Sequence, residues 1–193
     1  MEIEMRSYVD SLQRTEYLLN RNKARFLEEQ RIVDEWYCTK KSYSYEDIKQ
    51  DSPGSYGLRI RTLYSRDSKV SSEINCKVLE REGDHNSFHE HETQIKNPDE
   101  MKRILESIGF KVFCTINKTR KTYQIGNCKI NLEDIAGFRP AVELEIIDHD
   151  HNRETHYKTM DDILNMLEIN KEDYIPRSIT AEYMKHNAFK QQK

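Results

Sequence analysis

Carboxylates two residues apart recur on two alternating segments of the chain, Glu2-Ile3-Glu4-Met5-Arg6 and Val142-Glu143-Leu144-Glu145-Ile146. Side chains of a β-strand alternate between faces, so each carboxylate pair projects to one side while Ile3, Met5, Val142, Leu144 and Ile146 pack on the other. Two carboxylates on one face repel, and burying them is costly unless cations arrive. The chain carries cationic pairs of the same design, Arg59-Ile60-Arg61 and Lys118-Thr119-Arg120. Acidic and basic strands of this kind imply a polar barrel interior that holds a metal ion and a polyanion. Hard oxygen donors on rigid strands suit Mg²⁺ or Mn²⁺. Arginine forks grip phosphate oxygens in pairs, and lysine adds a compact charge.

The elements that must position these groups follow from periodicity and punctuation. Residues 2 to 9 alternate as a strand, and Asp10 or Ser11 caps a helix over roughly 11 to 23. Ile32, Val33, Trp36 and Tyr37 favour extended structure from Arg25 to Cys38. The polar, Tyr-rich stretch from Thr39 to Gly57, with Ser52-Pro53-Gly54, reads as a long flexible loop. Strands are expected over Leu58 to Tyr64, Val70 to Leu79 and Ser87 to Ile95. Asn97-Pro98-Asp99 then opens a helix whose stripe of Met101, Ile104, Leu105 and Ile108 ends at Gly109. Four short strands follow, over Lys111 to Asn117, Thr119 to Ile125, Cys128 to Leu132 and Ala141 to Ile147. One helix is expected near Met160 to Leu167 and another after Pro176. The pattern predicts an α+β fold, an antiparallel barrel with helices in its connections and C-terminal tail. A single domain over 1–193 is expected, its strands at about 2–148 and its last helices at about 158–190.

Composition narrows the partners. Thirty-one basic and 34 acidic side chains leave a formal charge of −3, which gives no global pull toward nucleic acid or membrane. Any anion site is therefore local. The mean hydropathy of −0.93 would suit a disordered chain, but the alternation and eleven tyrosines argue that the charges are partly structural. Cys38, Cys76, Cys114 and Cys128 show no ligand spacing, and no signal peptide or long apolar run is evident, so a cytoplasmic protein with reduced thiols is expected.

The same residues resemble the CYTH superfamily, the triphosphate tunnel metalloenzymes, and within it the class IV adenylyl cyclase-like branch. Glu2-Ile3-Glu4-Met5-Arg6 is similar to the hallmark Glu-x-Glu-x-Lys. Leu58-Arg59-Ile60-Arg61, Lys118-Thr119-Arg120 with Tyr123, Glu133 ahead of Gly137, and Val142-Glu143-Leu144-Glu145-Ile146 follow in family order. Pro176-Arg177-Ser178-Ile179 resembles the Pro-Arg-Ser-Tyr that opens the last helix of that branch. The resemblance implies an eight-stranded antiparallel tunnel that binds one or two Mg²⁺ or Mn²⁺ ions through Glu2, Glu4, Glu143 and Glu145. It implies a triphosphate held by Arg6, Arg59, Arg61, Lys118, Arg120 and Arg177, with Lys77 turned inward as a substrate and catalytic residue. Glu133 is either a further metal ligand or a cap for the turn before Gly137.

Three departures stand out: Arg6 in place of lysine, Arg139-Pro140 in place of a small turn, and Ile179 in place of an aromatic residue. A fourth is Phe88-His89-Glu90-His91-Glu92, where the family places an arginine and a glutamate on the inner face. Aligning apolar positions turns His89 and His91 inward, with His89 as a phosphate ligand, whereas a slip of one residue turns Glu90 and Glu92 inward. His149, His151 and His156 read as a solvated charged turn rather than a zinc site.

These features predict metal-dependent processing of a triphosphate, a nucleoside triphosphate or inorganic tripolyphosphate, with phosphohydrolysis preferred and Glu4 or Glu145 orienting the attacking water. The alternatives are a class IV adenylyl cyclase that makes cyclic AMP and pyrophosphate, an RNA 5′-triphosphatase, and a non-catalytic nucleotide or polyphosphate-binding module. The expected partner is a small-molecule triphosphate, with nucleic acid entering only as a 5′-triphosphate RNA end. No membrane partner is expected, and the cyclase-like branch makes a homodimer an option.

Overall fold

Cap and turn chemistry delimits the elements of the computed structural model, which describes residues 2–65, 70–79, 88–147 and 152–189. Eight strands and four helices run in the order β1 (Glu2–Tyr8), α1 (Leu12–Arg21), β2 (Arg25–Thr39), β3 (Tyr56–Tyr64), β4 (Val70–Leu79), β5 (Phe88–Gln94), α2 (Pro98–Ser107), β6 (Phe110–Ile125), β7 (Cys128–Ile135), β8 (Ala141–Ile147), α3 (Arg153–Met166) and α4 (Ile179–Asn187). Ser11 caps α1, its Oγ accepting from the Arg14 amide at 3.3 Å. Asn97 caps α2 in the same way at 3.1 Å, with Pro98 in the first turn. Gly126, at φ +57°, supplies the left-handed residue of the tight β6–β7 turn.

Three segments differ from the sequence expectation, each for a local reason. The stretches 111–117 and 119–125 form one strand, β6, because neither glycine nor proline interrupts them. The segment after β2 is pinned rather than loose: the Tyr43 and Ser44 amides donate to Asp47 Oδ2 at 2.8 and 2.9 Å around a short 3₁₀ turn at Tyr45–Asp47. Helix α3 starts at Arg153 rather than near Met160, because Asn152 caps it. His156 is therefore a buried helical residue, while His149 and His151 lie outside the described residues.

The strands form an eight-stranded antiparallel sheet in the order β1-β8-β7-β6-β2-β3-β4-β5, which with the four helices gives the expected α+β class. Two compact units share β2 and β6, whose halves fall in different units. One comprises residues 1–30 and 118–179. In it α1 and α3 cover one sheet face, with Leu19, Met160 and Leu164 meeting Ile130, Leu144 and Ile146, all essentially inaccessible to water. The other comprises residues 31–117 and 180–193, and there Leu105 of α2 packs on Tyr37, Leu58 and Ile60. In both, the helices take the apolar sheet face and leave the polar face to the groups described below. No described helix is long and apolar enough to cross a membrane.

A polar clamp docks α1 on β6. Glu16 accepts from Lys121 Nζ at 2.8 and 2.9 Å and from the Tyr123 hydroxyl at 2.6 Å. Those two hydrogen bonds hold its carboxyl below the usual carboxylate range, against a smaller opposing effect of burial. A lowered folded-state pKa stabilises the fold above the unfolded value, about 4.3, and that stabilisation is lost as pH falls through the folded value. With 29% of the Glu16 side chain exposed, screening limits the effect. Glu16→Gln is expected to cost at most about 1 kcal/mol at pH 7. Thermal melts of the variant and the wild type should converge as pH is lowered below about 4.

Candidate functional site

Strand register assembles the polar face of the first unit. Glu4 lies opposite Glu145 and Arg6 opposite Glu143 across the β1–β8 pair. Asn131 lies opposite Glu143 across β7–β8, and Arg120 and Thr122 lie opposite Glu133 and Asn131 across β6–β7. Period 2 therefore puts all these side chains on one face, opposite Ile3, Ile130 and Leu144.

On this face, carboxylate oxygens of Glu4, Glu143 and Glu145 lie within 4.8 Å of one another, each half-buried. Arg6 pairs with two of them, its Nε donating to Glu143 Oε2 at 2.7 Å and its Nη2 pairing with Glu4. Asn131, 2% exposed, donates to Glu145 Oε1 at 2.9 Å and accepts from Thr122 Oγ1 at 2.9 Å. Beside this trio, Glu133 is 1% exposed. It accepts from Arg120 Nε at 2.6 Å and from Lys118 Nζ at 3.1 Å. Arg120 also reaches Glu143 Oε1 at 3.4 Å.

The electrostatics follow from that geometry. Burial opposes ionisation of Glu143, but Arg6, Arg120 and Lys118 outweigh it and hold its carboxyl well below the usual range. Burial likewise opposes the charge of Arg120, but Glu133, Glu143 and Glu145 outweigh it and keep the guanidinium charged. The face thus sets the carboxyl groups of Glu4, Glu133, Glu143 and Glu145 against Arg6, Lys118 and Arg120.

A divalent ion fits this donor set. Three carboxylates converge, their oxygens are hard ligands, and the arginine among them shows that the cluster already demands positive charge. Glu133 stands apart, engaged by Lys118 and Arg120. The Glu2 side chain lies outside the described residues, and Arg177 is half-buried in the turn before α4. Asn131 and Thr122 were not singled out from the sequence, although their place on alternating strands next to the acidic pair is a signal for them. They fix the orientation of Glu145, as outer partners of metal-binding carboxylates do.

The second unit has its own polar face. Arg59, Asn75 and Glu92 are aligned across β3, β4 and β5, as are Lys77 and Glu90. Arg61 forks onto Asp34, with Nε to Oδ1 at 2.7 Å and Nη2 to Oδ2 at 2.8 Å, and Asp34 is 1% exposed. Lys77 Nζ lies 3.0 Å from Glu90. Arg59 is 9% exposed, with its guanidinium 5.5 Å from the centre of the Trp36 ring.

This register corrects the placement of the histidines. Glu90 and Glu92 share the face of Arg59 and Lys77, whereas His89 and His91 align with Val78 and Cys76 on the other face. The ion pair from Lys77 to Glu90 and the hydrogen bond from Asn75 to Glu92, at 3.2 Å, outweigh the weak apolar pattern of a strand that is exposed along most of its length. His89→Arg/His91→Glu should therefore leave the pH dependence of triphosphate handling between about 5.5 and 7.5 unchanged, measured as phosphate release against pH.

Comparison with known proteins agrees with the fold. A family model described as the CYTH domain matches residues 1–179. The solved structure of a Pyrococcus horikoshii protein aligns with a TM-score of 0.72 at 22% identity, covering 94% of this chain and 98% of that one. A Hippeastrum protein, a candidate adenylyl cyclase described as having a dominant triphosphatase activity, aligns with a TM-score of 0.65 at 16% identity, covering 100% and 97% of the two chains. A candidate adenylate cyclase of Methanocaldococcus jannaschii is 30% identical over 88 residues, 45% of this chain and 50% of that protein. The match thus spans half the length of that relative.

Proposed function

The chain belongs to the CYTH domain family, and on that premise we propose that it is a divalent-metal-dependent triphosphate hydrolase. Glu4, Glu143 and Glu145 would hold Mg²⁺ or Mn²⁺, which supplies positive charge to the phosphate oxygens. The observation that carries this reading is the convergence of those three carboxylates beside Lys118 and Arg120. The triphosphatase activity described for the Hippeastrum neighbour supports it.

Hydrolysis asks for positioning and charge neutralisation more than for covalent chemistry. Glu145, oriented by Asn131, accepts a proton from the attacking water. The water oxygen bonds to the terminal phosphorus as the bond from that phosphorus to the bridging oxygen breaks. Arg120 and Lys118 take up the charge that accumulates on the phosphate oxygens. Arg59, Arg61 and Lys77 are assigned as further phosphate contacts on their own face.

A second reading is favoured by the adenylate cyclase descriptions of the M. jannaschii relative and of a Vibrio parahaemolyticus structure aligned at a TM-score of 0.71. In it the ribose 3′ oxygen attacks the α-phosphorus of ATP and pyrophosphate leaves. Product analysis separates the two, using ATP, GTP, thiamine triphosphate and tripolyphosphate with Mg²⁺ or Mn²⁺. Orthophosphate as the main product is expected. Cyclic AMP with pyrophosphate would establish the second reading, and the absence of turnover with all four would leave a binding module.

A further inference from the structure

Arg6 puts a cation of the chain's own inside the acidic trio of the first unit. Its Nε donates to Glu143 Oε2 at 2.7 Å and its Nη2 pairs with Glu4, so one guanidinium spans two of the three carboxylates. The other oxygen of Glu143 accepts the longer contact from Arg120 Nη2, at 3.4 Å. Both oxygens of Glu143 are therefore engaged, as is Glu145 Oε1 by Asn131. The oxygens that converge within 4.8 Å already serve side-chain donors.

The two arginines are held differently. Arg120 is anchored outside the trio, its Nε donating to the buried Glu133 at 2.6 Å, so it keeps a partner when another cation arrives. Among the described residues the Arg6 guanidinium has no such anchor, because its partners are Glu4 and Glu143 themselves. The Arg6 backbone, by contrast, is pinned: its carbonyl accepts from the Ile175 amide at 2.8 Å, and the next residue, Ser7, forms a β-bridge with Tyr174. Only the side chain is left to yield, by a change of rotamer on a fixed strand.

A dication and a guanidinium on the same two carboxylates repel at contact distance. We infer that Arg6 is a built-in competitor of the metal: it pairs with Glu4 and Glu143 in the protein alone and must leave them before Mg²⁺ or Mn²⁺ is held. The inference rests on the metal reading above and adds to it a release step that limits how tightly the ion binds. The apparent metal affinity is lowered by the fraction of molecules in which Arg6 has swung away, and its charge-assisted hydrogen bonds keep that fraction small. Arg6 thereby sets a threshold of metal concentration below which the trio stays self-paired.

Titration calorimetry on the full chain, with Mn²⁺ alone as the probe, tests the inference. Arg6→Met keeps an unbranched side chain and removes the charge, so it should bind Mn²⁺ about tenfold or more tightly than wild type, since no charge-assisted hydrogen bonds have to be broken first. Loss of charge repulsion alone would also tighten binding, so the release is read directly in the wild type. The Arg6 Nε–H gives a nitrogen–proton NMR signal, identified by its absence from Arg6→Met, and its bond to Glu143 should slow its exchange with water. Titration with Mg²⁺ should move that signal to the position of a solvated guanidinium and speed its exchange, in step with the metal occupancy that calorimetry gives. A signal that stays protected while Mg²⁺ binds would overturn the inference and leave the metal reading standing, and this arm needs no variant. Mn²⁺ affinity in folded Arg6→Met equal to or weaker than that of wild type would overturn it as well. No Mn²⁺ binding by either protein would remove the metal reading and this inference with it.

Discussion

Glu145→Gln is expected to lower divalent-dependent turnover by at least about a hundredfold while the chain stays folded, because it removes both a ligand charge and the group that accepts the water's proton. The glutamine keeps the shape of the side chain, and its carbonyl still accepts from Asn131, which holds Glu145 at 2.9 Å. Glu4, Glu143 and Glu145 repel one another at separations under 4.8 Å, so losing one charge relieves repulsion in the metal-free protein. Phosphate release, Mn²⁺ binding by calorimetry and a thermal melt in EDTA together check the expectation. Turnover and Mn²⁺ affinity equal to wild type would reject the site. A melt that collapses would show that the carboxylate stabilises the fold, a role the geometry does not give it.

Glu133→Leu should behave in the opposite way, with a large loss of stability in the absence of any metal. Glu133 is 1% exposed and is paired with both Lys118 and Arg120. Removing it takes a buried carboxylate from Lys118 and leaves Arg120 with the longer contact to Glu143, at 3.4 Å. Breaking a buried ion pair by deleting one partner costs about 3–5 kcal/mol, because the remaining charge is left desolvated. Urea denaturation in EDTA measures the loss, and Glu133→Gln, which retains a carbonyl acceptor, should recover part of it. A variant as stable as wild type in EDTA but impaired in Mn²⁺ binding would return Glu133 to the role of metal ligand.

The two predictions differ because carboxylates of one residue type, on adjacent strands and the same face, meet different neighbours. Local sequence does not separate their roles, although Glu145 lies between Leu144 and Ile146 whereas Glu133 is followed by Asp134. The distinction comes from register, which sets Arg120 directly opposite Glu133 and Glu143 directly opposite Arg6.

What the sequence determined by itself were properties that depend on period and local chemistry. Alternation placed Glu4, Glu143 and Glu145 on polar strand faces and Ile3, Leu144 and Ile146 on apolar ones. It marked β8 at Ala141–Ile147 and β4 at Val70–Leu79 to the residue, Asn97 marked the start of α2, and Asp10 or Ser11 bracketed that of α1, where Ser11 is the cap. The tertiary structure alone decided what depends on pairing between distant strands. It set the approach of the Glu4 and Glu145 carboxylates across 141 positions of chain, the engagement of Arg61 by Asp34, and the face of β5. The β5 case shows the physical reason. In Phe88-His89-Glu90-His91-Glu92 the hydrophobic pattern is too weak to choose a face, so the choice falls to cross-strand partners, Lys77 for Glu90 and Asn75 for Glu92, which only folding supplies.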